Sequence, residues 1–543
     1  MATTTYDWHV VKSGFFVNAD AFGDESNAAI GATGRHGFFA AWEPGTTAFA
    51  KCRAFDRSGE PLSLFDSQVN TTTDNEQYDV SIAGQSNGYA LMTFTDLSGD
   101  RLGDIRGRLF APSGDPIGDD FAIATGDASE YSADAAALAG GGYVVTWTRD
   151  FGEGDFDVRA QMVNANGTLR GGLITVDQAS SLRTDYPTVA GLAGGGFVVG
   201  WQQGTIEGVT DTVVFVRYNA NGVRLDATPI IVDDVGTYKQ DLQVVGLQDG
   251  GFAFAYVDDG YATPDLEISL KIFDADGTIR TGAILANGTE TDGDQLSPTI
   301  TTLGNGFIVV GWTDGEELMY QAFDPDGNRV GDIDGFSSFV IEAELAGLTG
   351  GQMVNVRSST FEDDDGDSIR GSIEELTRTV TGDGSNEDLT GDGLADHLLG
   401  LDGKDKLSGS NGKDTLEGGD GADVLRGGID KDLLIGGAGA DRYVYNALVQ
   451  SRPGPGADII KGFEDGLDKI DVSAIDARAA SPATNQAFNF IVGSFTAEGQ
   501  VRVVQDGDDT LVQFNTTGPT GADMEIVLKN FDAGDLSGAD FVL

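Results

Sequence analysis

The 543-residue chain has a single cysteine, Cys52, and only three histidines. One cysteine cannot form an intramolecular disulfide, which excludes a small secreted fold held together by disulfides. The histidines, His9, His36 and His397, form no H-E-x-x-H motif, which excludes a zinc metalloprotease of that type. No nucleophile-bearing motif accompanies a histidine either, so no catalytic residue is predicted.

Long apolar runs and basic residues are also scarce. No stretch of about 18 apolar residues predicts a membrane span, and the N-terminal segment lacks the basic and apolar regions of a signal peptide. Lys and Arg number 33 against 87 Asp and Glu, which gives a formal charge of −54. This charge argues against nucleic acid or an anionic membrane surface as a partner and favours cations.

The first two-thirds of the chain repeat a glycine followed by an apolar run, as in "GGGYVVTW" and "GGGFVVGW". The seven leading glycines are Gly37, Gly88, Gly142, Gly196, Gly251, Gly306 and Gly351. In six copies a turn sequence such as "NANG" or "DADG" follows and predicts a hairpin. About four short strands per copy predict an all-β fold with a seven-bladed β-propeller over residues 1–380.

Closure of this ring is predicted from its two ends. The seventh copy offers no fourth strand after "DSIRGSIEEL", whereas residues 13–26 resemble residues 118–130 of the second copy. We therefore expect an N-terminal strand to complete the last blade; the alternative is an open array of sheets with exposed edges. Four tryptophans recur at one position of the second strands and are expected to pack between blades. They are Trp42, Trp147, Trp201 and Trp312.

From residue 381 the period changes to nine. Six leucines from Leu389 to Leu434 keep this spacing, each with an acidic residue two positions earlier and a glycine two positions later. One apolar residue in nine, with glycine-rich turns, is typical of a coil of short strands whose leucines point inward. Residues eighteen apart then stack, and stacked carboxylates repel unless a cation such as Ca²⁺ lies between them.

Residues 381–445 resemble the RTX, or haemolysin-type calcium-binding, repeats, whose pattern is clearest in "GGDGADVLRGG" and "GGAGADRYVY". The resemblance implies a parallel β-roll with Ca²⁺ as its cofactor. Leu394 and Asp430 stand where this pattern expects glycine, so weaker or empty sites are expected at those turns. The expected metal-site residues are Asp396, Asp405, Asp414, Asp423, Asp432, Asp441, Asp402, Asp420, Gly403, Gly412, Gly421 and Gly439.

Residues 446–543 resemble the C-terminal secretion domain of serralysin-type proteins through "ADIIKGFEDGLDKIDVSAIDA" and the final "GADFVL". In that family the C-terminal end carries an export signal, an acidic residue followed by apolar ones. Here it corresponds to Asp540, Phe541, Val542 and Leu543. The resemblance implies a β-rich domain, the type I secretion machinery as a partner, and a secreted, extracellular or cell-surface location.

The repeats of the first two-thirds resemble propeller blades of bacterial secreted adhesin-like proteins. Seven variable loops on one rim, together with the lack of a catalytic motif, favour a binding or adhesion module for carbohydrate or another surface component. Two other functions stay open on the residues alone. One is a secreted hydrolase or lyase that acts through paired carboxylates and needs no histidine; the other is a structural surface-layer or matrix protein.

Overall fold

The computed structural model describes residues 2–19, 25–44, 49–71, 77–98, 102–152, 155–178, 183–204, 211–233, 238–260, 265–288, 293–315, 317–337, 340–359, 368–478, 486–518 and 521–543. The chain divides into two compact units, Val10–Glu374 and Met1–His9 with Glu375–Leu543. The described residues contain no α-helix, which confirms the all-β prediction, and no helix long and apolar enough to cross a membrane. In these described ranges there are four 3₁₀ helices: Gly34–His36, Leu448–Gln450, Gly454–Gly456 and Gly538–Asp540.

The chain begins with strand β1 (Thr3–Phe16) and then forms six separate four-stranded antiparallel sheets, blades 1 to 6. Blade 1 contains β2 (Glu25–Ala32), β3 (Phe38–Pro44), β4 (Lys51–Phe55) and β5 (Ser67–Gln68); blade 2 contains β6 (Gln77–Gly84), β7 (Ala90–Asp96), β8 (Asp104–Phe110) and β9 (Pro116–Ala124). Blade 3 contains β10 (Ser129–Ala137), β11 (Tyr143–Asp150), β12 (Phe156–Val163) and β13 (Leu169–Gln178); blade 4 contains β14 (Arg183–Gly191), β15 (Phe197–Gly204), β16 (Asp211–Tyr218) and β17 (Ile230–Asp233). Blade 5 contains β18 (Lys239–Gly246), β19 (Phe252–Asp258), β20 (Glu267–Phe273) and β21 (Ile279–Leu285); blade 6 contains β22 (Gln295–Thr302), β23 (Ile308–Asp314), β24 (Glu317–Phe323) and β25 (Arg329–Ser337).

The described residues of the seventh repeat do not form a separate four-stranded sheet. The prediction of seven separate blades is therefore wrong, and the part of the chain that the structure describes contains six. This repeat supplies β26 (Val340–Gly347), β27 (Gln352–Ser359) and β28 (Ser368–Thr381), and β28 also pairs with β1. The difference arises because β28 has 14 residues, about twice the length of the other third strands, and continues past Glu374.

The blades form a propeller-like ring. The inner strands β2, β6, β10, β14, β18, β22 and β26 contact one another in this order, and β26 contacts β2. Val17, Phe38 and Trp42 at the start of the ring pack with Val354 and Ile369 at its end. The four repeated tryptophans are at most 1% exposed, and each lies in a core shared by two neighbouring blade positions, which confirms their predicted packing role.

Each of the six blades has a β-bulge at the same place in its inner strand. Two inner-strand residues there lie opposite one aromatic residue of the second strand, for example opposite Trp147 in blade 3. The first residue of each bulge has a φ between 49° and 54°, a left-handed conformation that is costly for residues with a Cβ. These residues are Asn27, Asp79, Ser132, Tyr186, Asp241 and Ser297.

Side chains just after the bulges link neighbouring blades. Asp134 of blade 3 accepts hydrogen bonds from Ser81 Oγ of blade 2 at 3.0 Å and from Thr188 Oγ1 of blade 4 at 3.2 Å. The same carboxylate accepts the backbone N–H groups of Ala135 and Val189, each at 2.8 Å. One carboxylate therefore joins three blades.

Blades 3 and 5 carry an ion pair at the same two positions with the charges reversed. In blade 3, Arg149 Nε lies 3.5 Å from Oε1 of Glu130, and in blade 5 the buried Lys239 contacts the Asp258 carboxylate. Both pairs join the inner strand of a blade to the second strand of the same blade.

The second unit contains two sheets of short strands. Its strands are β29 (Asp388–Thr390), β30 (Ala395–Gly403), β31 (Lys406–Asn411), β32 (Thr415–Gly421), β33 (Val424–Ile429), β34 (Leu433–Gly439), β35 (Arg442–Val444), β36 (Asp458–Lys461), β37 (Lys469–Asp471), β38 (Asn489–Ile491), β39 (Gln500–Asp506), β40 (Asp509–Asn515), β41 (Met524–Lys529) and β42 (Phe541–Val542). One sheet has the order β28-β30-β32-β34-β36-β41-β40-β39-β38, and the other has the order β29-β31-β33-β35-β37-β42.

The nonapeptide region forms the predicted parallel β-roll. Strands pair in parallel so that each residue lies beside the one eighteen positions later, as Leu398 lies beside Leu416 and Leu407 beside Leu425. The inward leucines are at most 4% exposed, and their core continues into the apolar residues of the C-terminal strands. The roll and the tail therefore share one hydrophobic core.

Candidate metal centre

The six predicted aspartates of the roll form two columns, each with members eighteen residues apart. The first contains Asp396, Asp414 and Asp432, and the second contains Asp405, Asp423 and Asp441. Within a column, the backbone N–H of one aspartate donates to Oδ1 of the next at 2.8–3.0 Å. All six residues are 1–2% exposed, so the roll brings six carboxyl groups into a buried environment.

Two aspartates that the nine-residue period did not reveal extend the columns. The N–H of Asp432 donates to Asp458 Oδ1 at 3.0 Å, and the N–H of Asp441 donates to Asp468 Oδ1 at 2.9 Å. Both added residues are fully buried. Their sequence separations of 26 and 27 residues break the period. The sequence nevertheless contains a pattern that could have identified both aspartates. Each of them precedes a buried isoleucine by two positions, as the roll aspartates precede their leucines.

In most aspartates of these columns the second carboxylate oxygen, Oδ2, lacks the hydrogen-bond donor that Oδ1 has. In five of the six aspartates it is buried without a hydrogen-bond donor; the five are Asp405, Asp414, Asp423, Asp432 and Asp441. Among the described residues, Arg378 alone forms an ion pair with a member of the six, Asp396. A buried carboxylate oxygen that has no donor, in a group without a partner charge, is strongly unfavourable, so these Oδ2 atoms require a cation or a proton.

The electrostatics of the columns point in the same direction. Burial raises the pKa of Asp414 to about 8 and the pKa of Asp441 to about 6. Burial also raises the pKa of Asp405, Asp423 and Asp432, and the neighbouring carboxylates raise the pKa of Asp432 further. The chain alone therefore disfavours the ionised columns, and a bound cation would favour them.

The glycines Gly403, Gly412, Gly421 and Gly439 are needed where turns stack. A Cβ at Gly421 would lie 1.6 Å from the carbonyl oxygen of Gly403 and 3.0 Å from Oδ1 of Asp423. At the other three glycines, a Cβ would lie 1.4–2.4 Å from the carbonyl oxygen eighteen residues earlier. Only glycine therefore allows the turns to approach each other this closely.

The other two predicted aspartates and the two residues that depart from the repeat pattern lie outside the two columns. Asp402 and Asp420 stack on each other in register but are exposed, outside the buried columns. Leu394 is fully buried, with its carbonyl oxygen directed at Gly412. Asp430 adopts φ 86°, the left-handed conformation that a glycine would take. Of the two departures from the pattern, Asp430 thus keeps a left-handed backbone conformation.

Backbone carbonyls lie beside the unpartnered carboxylate oxygens. A Cβ at Gly409 would lie 2.1 Å from Asp414 Oδ2 and 2.5 Å from the carbonyl oxygen of Gly427, so both oxygens border one space that only glycine leaves open. Within the described ranges, no three His, Cys, Asp or Glu side chains form a metal-binding group by themselves. Carboxylate and carbonyl oxygens together form an all-oxygen donor set, which suits Ca²⁺.

The first column begins with a positive charge instead of an aspartate. Arg378 lies in register with Asp396 and donates from Nε to its Oδ1 at 2.7 Å. The same guanidinium lies 3.2 Å from Asp392 Oδ2 and donates to the carbonyl oxygen of Thr390 at 2.8 Å. The chain itself therefore supplies the cation at this end of the column.

Comparison with known families agrees with this geometry. Residues 381–416 and 408–443 match the family described as RTX calcium-binding nonapeptide repeat (4 copies). These repeats bind calcium, which confirms Ca²⁺ as the predicted cofactor. A comparison with the curated proteins finds no match.

Several solved structures are similar in part. An α-L-arabinanase of Penicillium chrysogenum, complexed with arabinobiose, is 13% identical over 61% of this chain and 98% of its own, with a TM-score of 0.38. A PL25 ulvan lyase is 10% identical over 66% of this chain and 94% of its own, with a TM-score of 0.38. The AlgE6R2 subunit of the Azotobacter vinelandii mannuronan C5-epimerase is 25% identical over 30% of this chain and 90% of its own, with a TM-score of 0.17. At these scores the similarities assign no activity to this chain.

Proposed function

We propose that this is a secreted calcium-binding protein whose roll, residues 381–445, folds when it binds Ca²⁺ outside the cell. Residues 1–380 act as a propeller that binds carbohydrate or another surface component, and residues 446–543 direct export through a type I machinery. The observation that carries the calcium-dependent step is the burial of five Oδ2 atoms without a donor in the two columns.

Two kinds of interaction within the chain contribute to the folding of the roll. The N–H to Oδ1 bonds of the columns hold one oxygen of each carboxylate, and the inward leucines supply apolar burial. When bound, Ca²⁺ supplies the positive charge that offsets the mutual repulsion of the carboxylates. Because the complete sites exist only in the folded roll, metal-binding free energy becomes folding free energy. In the calcium-poor bacterial cytosol the roll stays unfolded and can thread through a narrow export channel.

The calcium-dependent step is tested by hydrogen–deuterium exchange of the full chain, with calcium or with a chelator. We expect amides of residues 383–445 to lose protection on chelation and to regain it when calcium is restored, because the columns are then left without a cation. Amides of blades 1 to 6 serve as the internal control and should change much less. Equal protection of the roll in both conditions would contradict the proposal.

The export step is tested separately, by secretion from a host that carries a type I exporter. Removal of the last four residues, Asp540 to Leu543, should abolish secretion while the chain accumulates in the cell. A deletion of equal length at the N-terminus, residues 2–5, is the control and should leave secretion intact. Secretion of the C-terminally shortened chain at the normal level would overturn the assigned route.

A further inference from the structure

The centre of the propeller-like ring contains a cavity of about 590 Å³. Its wall is formed by the inner strands of blades 1 to 6 and by β26. This volume lies within the roughly 300–1,000 Å³ typical of small-molecule sites. The cavity is thus large enough for a short ligand or for the end of a longer one.

All six left-handed bulge residues line this cavity. They are Asn27, Asp79, Ser132, Tyr186, Asp241 and Ser297. Every one has a side chain that can form hydrogen bonds, and none is a glycine, although glycine would adopt this backbone conformation without strain. A strained conformation kept at six equivalent positions, with polar side chains at each, is typical of a functional surface.

The charge of the wall restricts what can bind. Four carboxyl groups line the cavity, those of Asp79, Asp134, Asp241 and Glu344, and among the lining residues that the structure describes there is no lysine, arginine or histidine. An anionic ligand would meet these four carboxyl groups in a partly enclosed space, where repulsion is stronger than in water. The wall therefore discriminates against carboxylate, sulfate and phosphate groups.

The wall also offers groups that suit a hydroxyl-rich ligand. Tyr186 lines the cavity, is 49% exposed and is the one aromatic residue among the described lining residues. The Arg183 guanidinium lies 5.7 Å from the centroid of this ring but is ion-paired with Asp185. Asp241 has no hydrogen-bond partner among the described residues. An aromatic face together with carboxyl, amide and hydroxyl groups matches the alternating apolar faces and hydroxyls of a sugar.

We propose that the central cavity binds a glycan that carries no acidic group, with Tyr186 as the stacking surface and Asp241 as a hydrogen-bonding group. This inference rests on the proposed carbohydrate-binding function and specifies its site and its ligand class. Desolvation raises the pKa of Asp79, Asp134 and Asp241. A carboxyl group with a raised pKa donates to a ligand hydroxyl when protonated and accepts from one when ionised.

Calcium-loaded full-length protein is tested by titration calorimetry against neutral oligosaccharides of two to four residues and against uronate-containing and sulfated series of the same length. The variants are Tyr186→Asn and Asp241→Asn, chosen because asparagine tolerates the left-handed backbone. Tyr186→Phe keeps the ring, and Asp276→Asn on an exposed hairpin is the matched control for loss of one charge. Circular dichroism verifies that each variant is folded.

We expect at least one neutral oligosaccharide to bind and the acidic series not to bind. Tyr186→Asn and Asp241→Asn should weaken binding at least tenfold, whereas Tyr186→Phe and Asp276→Asn should change it less than threefold. Binding that both cavity variants leave intact overturns the cavity assignment but keeps the proposed carbohydrate function. Preferential binding of the acidic series overturns the ligand class. Absence of binding in every series contradicts the carbohydrate function itself.

Discussion

The backbone N–H of Asp414 donates a hydrogen bond to Oδ1 of Asp432 at 3.0 Å. This bond fixes one carboxylate oxygen of Asp432 and leaves its Oδ2 buried without a donor. The two oxygens thus have separable tasks, because Oδ1 maintains the register between turns while Oδ2 is available to a cation. An amide side chain can perform the first task but not the second.

The substitution Asp432→Asn should separate these two tasks. The amide oxygen keeps the bond from Asp414 while the negative charge is lost, so the calcium-free roll should become more stable. Calcium affinity should fall at least tenfold, about 1.4 kcal/mol per site. Calcium titration followed by hydrogen exchange measures both effects. Asp388→Asn, which removes a charge from an exposed side chain, is the control, and equal affinities for the two variants would argue against metal binding at Asp432.

Stability of the calcium-free roll should depend on pH in a defined direction. Burial raises the pKa of Asp396 and Asp441 to about 6 and that of Asp414 to about 8, against about 3.9 in an unfolded chain. The folded roll therefore binds more protons than the unfolded chain, so its stabilisation is complete below about pH 4 and is lost as the pH rises through 6 to 8. Hydrogen exchange of residues 383–445 in chelator, between pH 4 and 8 and corrected for intrinsic rates, measures this loss.

Calcium should reverse that trend. Protons and calcium compete for the same carboxylates, so the calcium affinity should increase as the pH rises over the same range. Protection that increased with pH in the absence of calcium would show that the columns are not desolvated in the folded roll.

Arg378→Gln should weaken the first turns of the roll. The substitution leaves Asp396 without its only ion-pair partner among the described residues, and breaking a buried pair by removing one partner costs roughly 3 kcal/mol. The calcium concentration needed for half-maximal folding should rise severalfold. Lys406→Gln is the control, because its pair with Asp388 is exposed and spans 3.8 Å. Equal calcium requirements for the two variants would exclude a role for the Arg378 charge.

Two glycines of blade 4 provide a matched test of the propeller. A Cβ at Gly196 would lie 2.2 Å from the carbonyl oxygen of Tyr218, whereas a Cβ at Gly194 would meet no atom within 4 Å. Gly196→Ala should lower the free energy of unfolding by about 1–3 kcal/mol through overpacking. Gly194→Ala should be neutral or slightly stabilising. Denaturant unfolding followed by tryptophan fluorescence compares the variants, and equal midpoints would refute this close approach.

Periodicity made much of this fold predictable from the sequence. The nine-residue spacing located the inward leucines and the six column aspartates because a coil of equal turns must repeat its residues. Asp458 and Asp468 were missed because two longer connections interrupt that spacing although the columns continue. The bulges were missed for a different reason. Their residues share a backbone conformation but no residue type, as Tyr186 and Ser297 illustrate.

The number of separate blades could not be predicted from the repeat alone. Recurrent glycines located seven copies, but they did not reveal that β28 continues to Thr381. Strand length is set by which neighbours are available for pairing, and those neighbours come from distant parts of the chain.

The ion pairs of blades 3 and 5, which have opposite charge order, affect which exchanges of blade segments would keep charges balanced. Glu130 with Arg149 and Lys239 with Asp258 each satisfy their charge inside one blade. A recombination event that exchanges a whole blade would therefore carry a balanced pair into its new position. An exchange with a crossover between the first and second strands would bring two like charges together under the surface. With respect to these two ion pairs, exchange of a whole blade therefore preserves charge balance, whereas exchange of part of a blade does not.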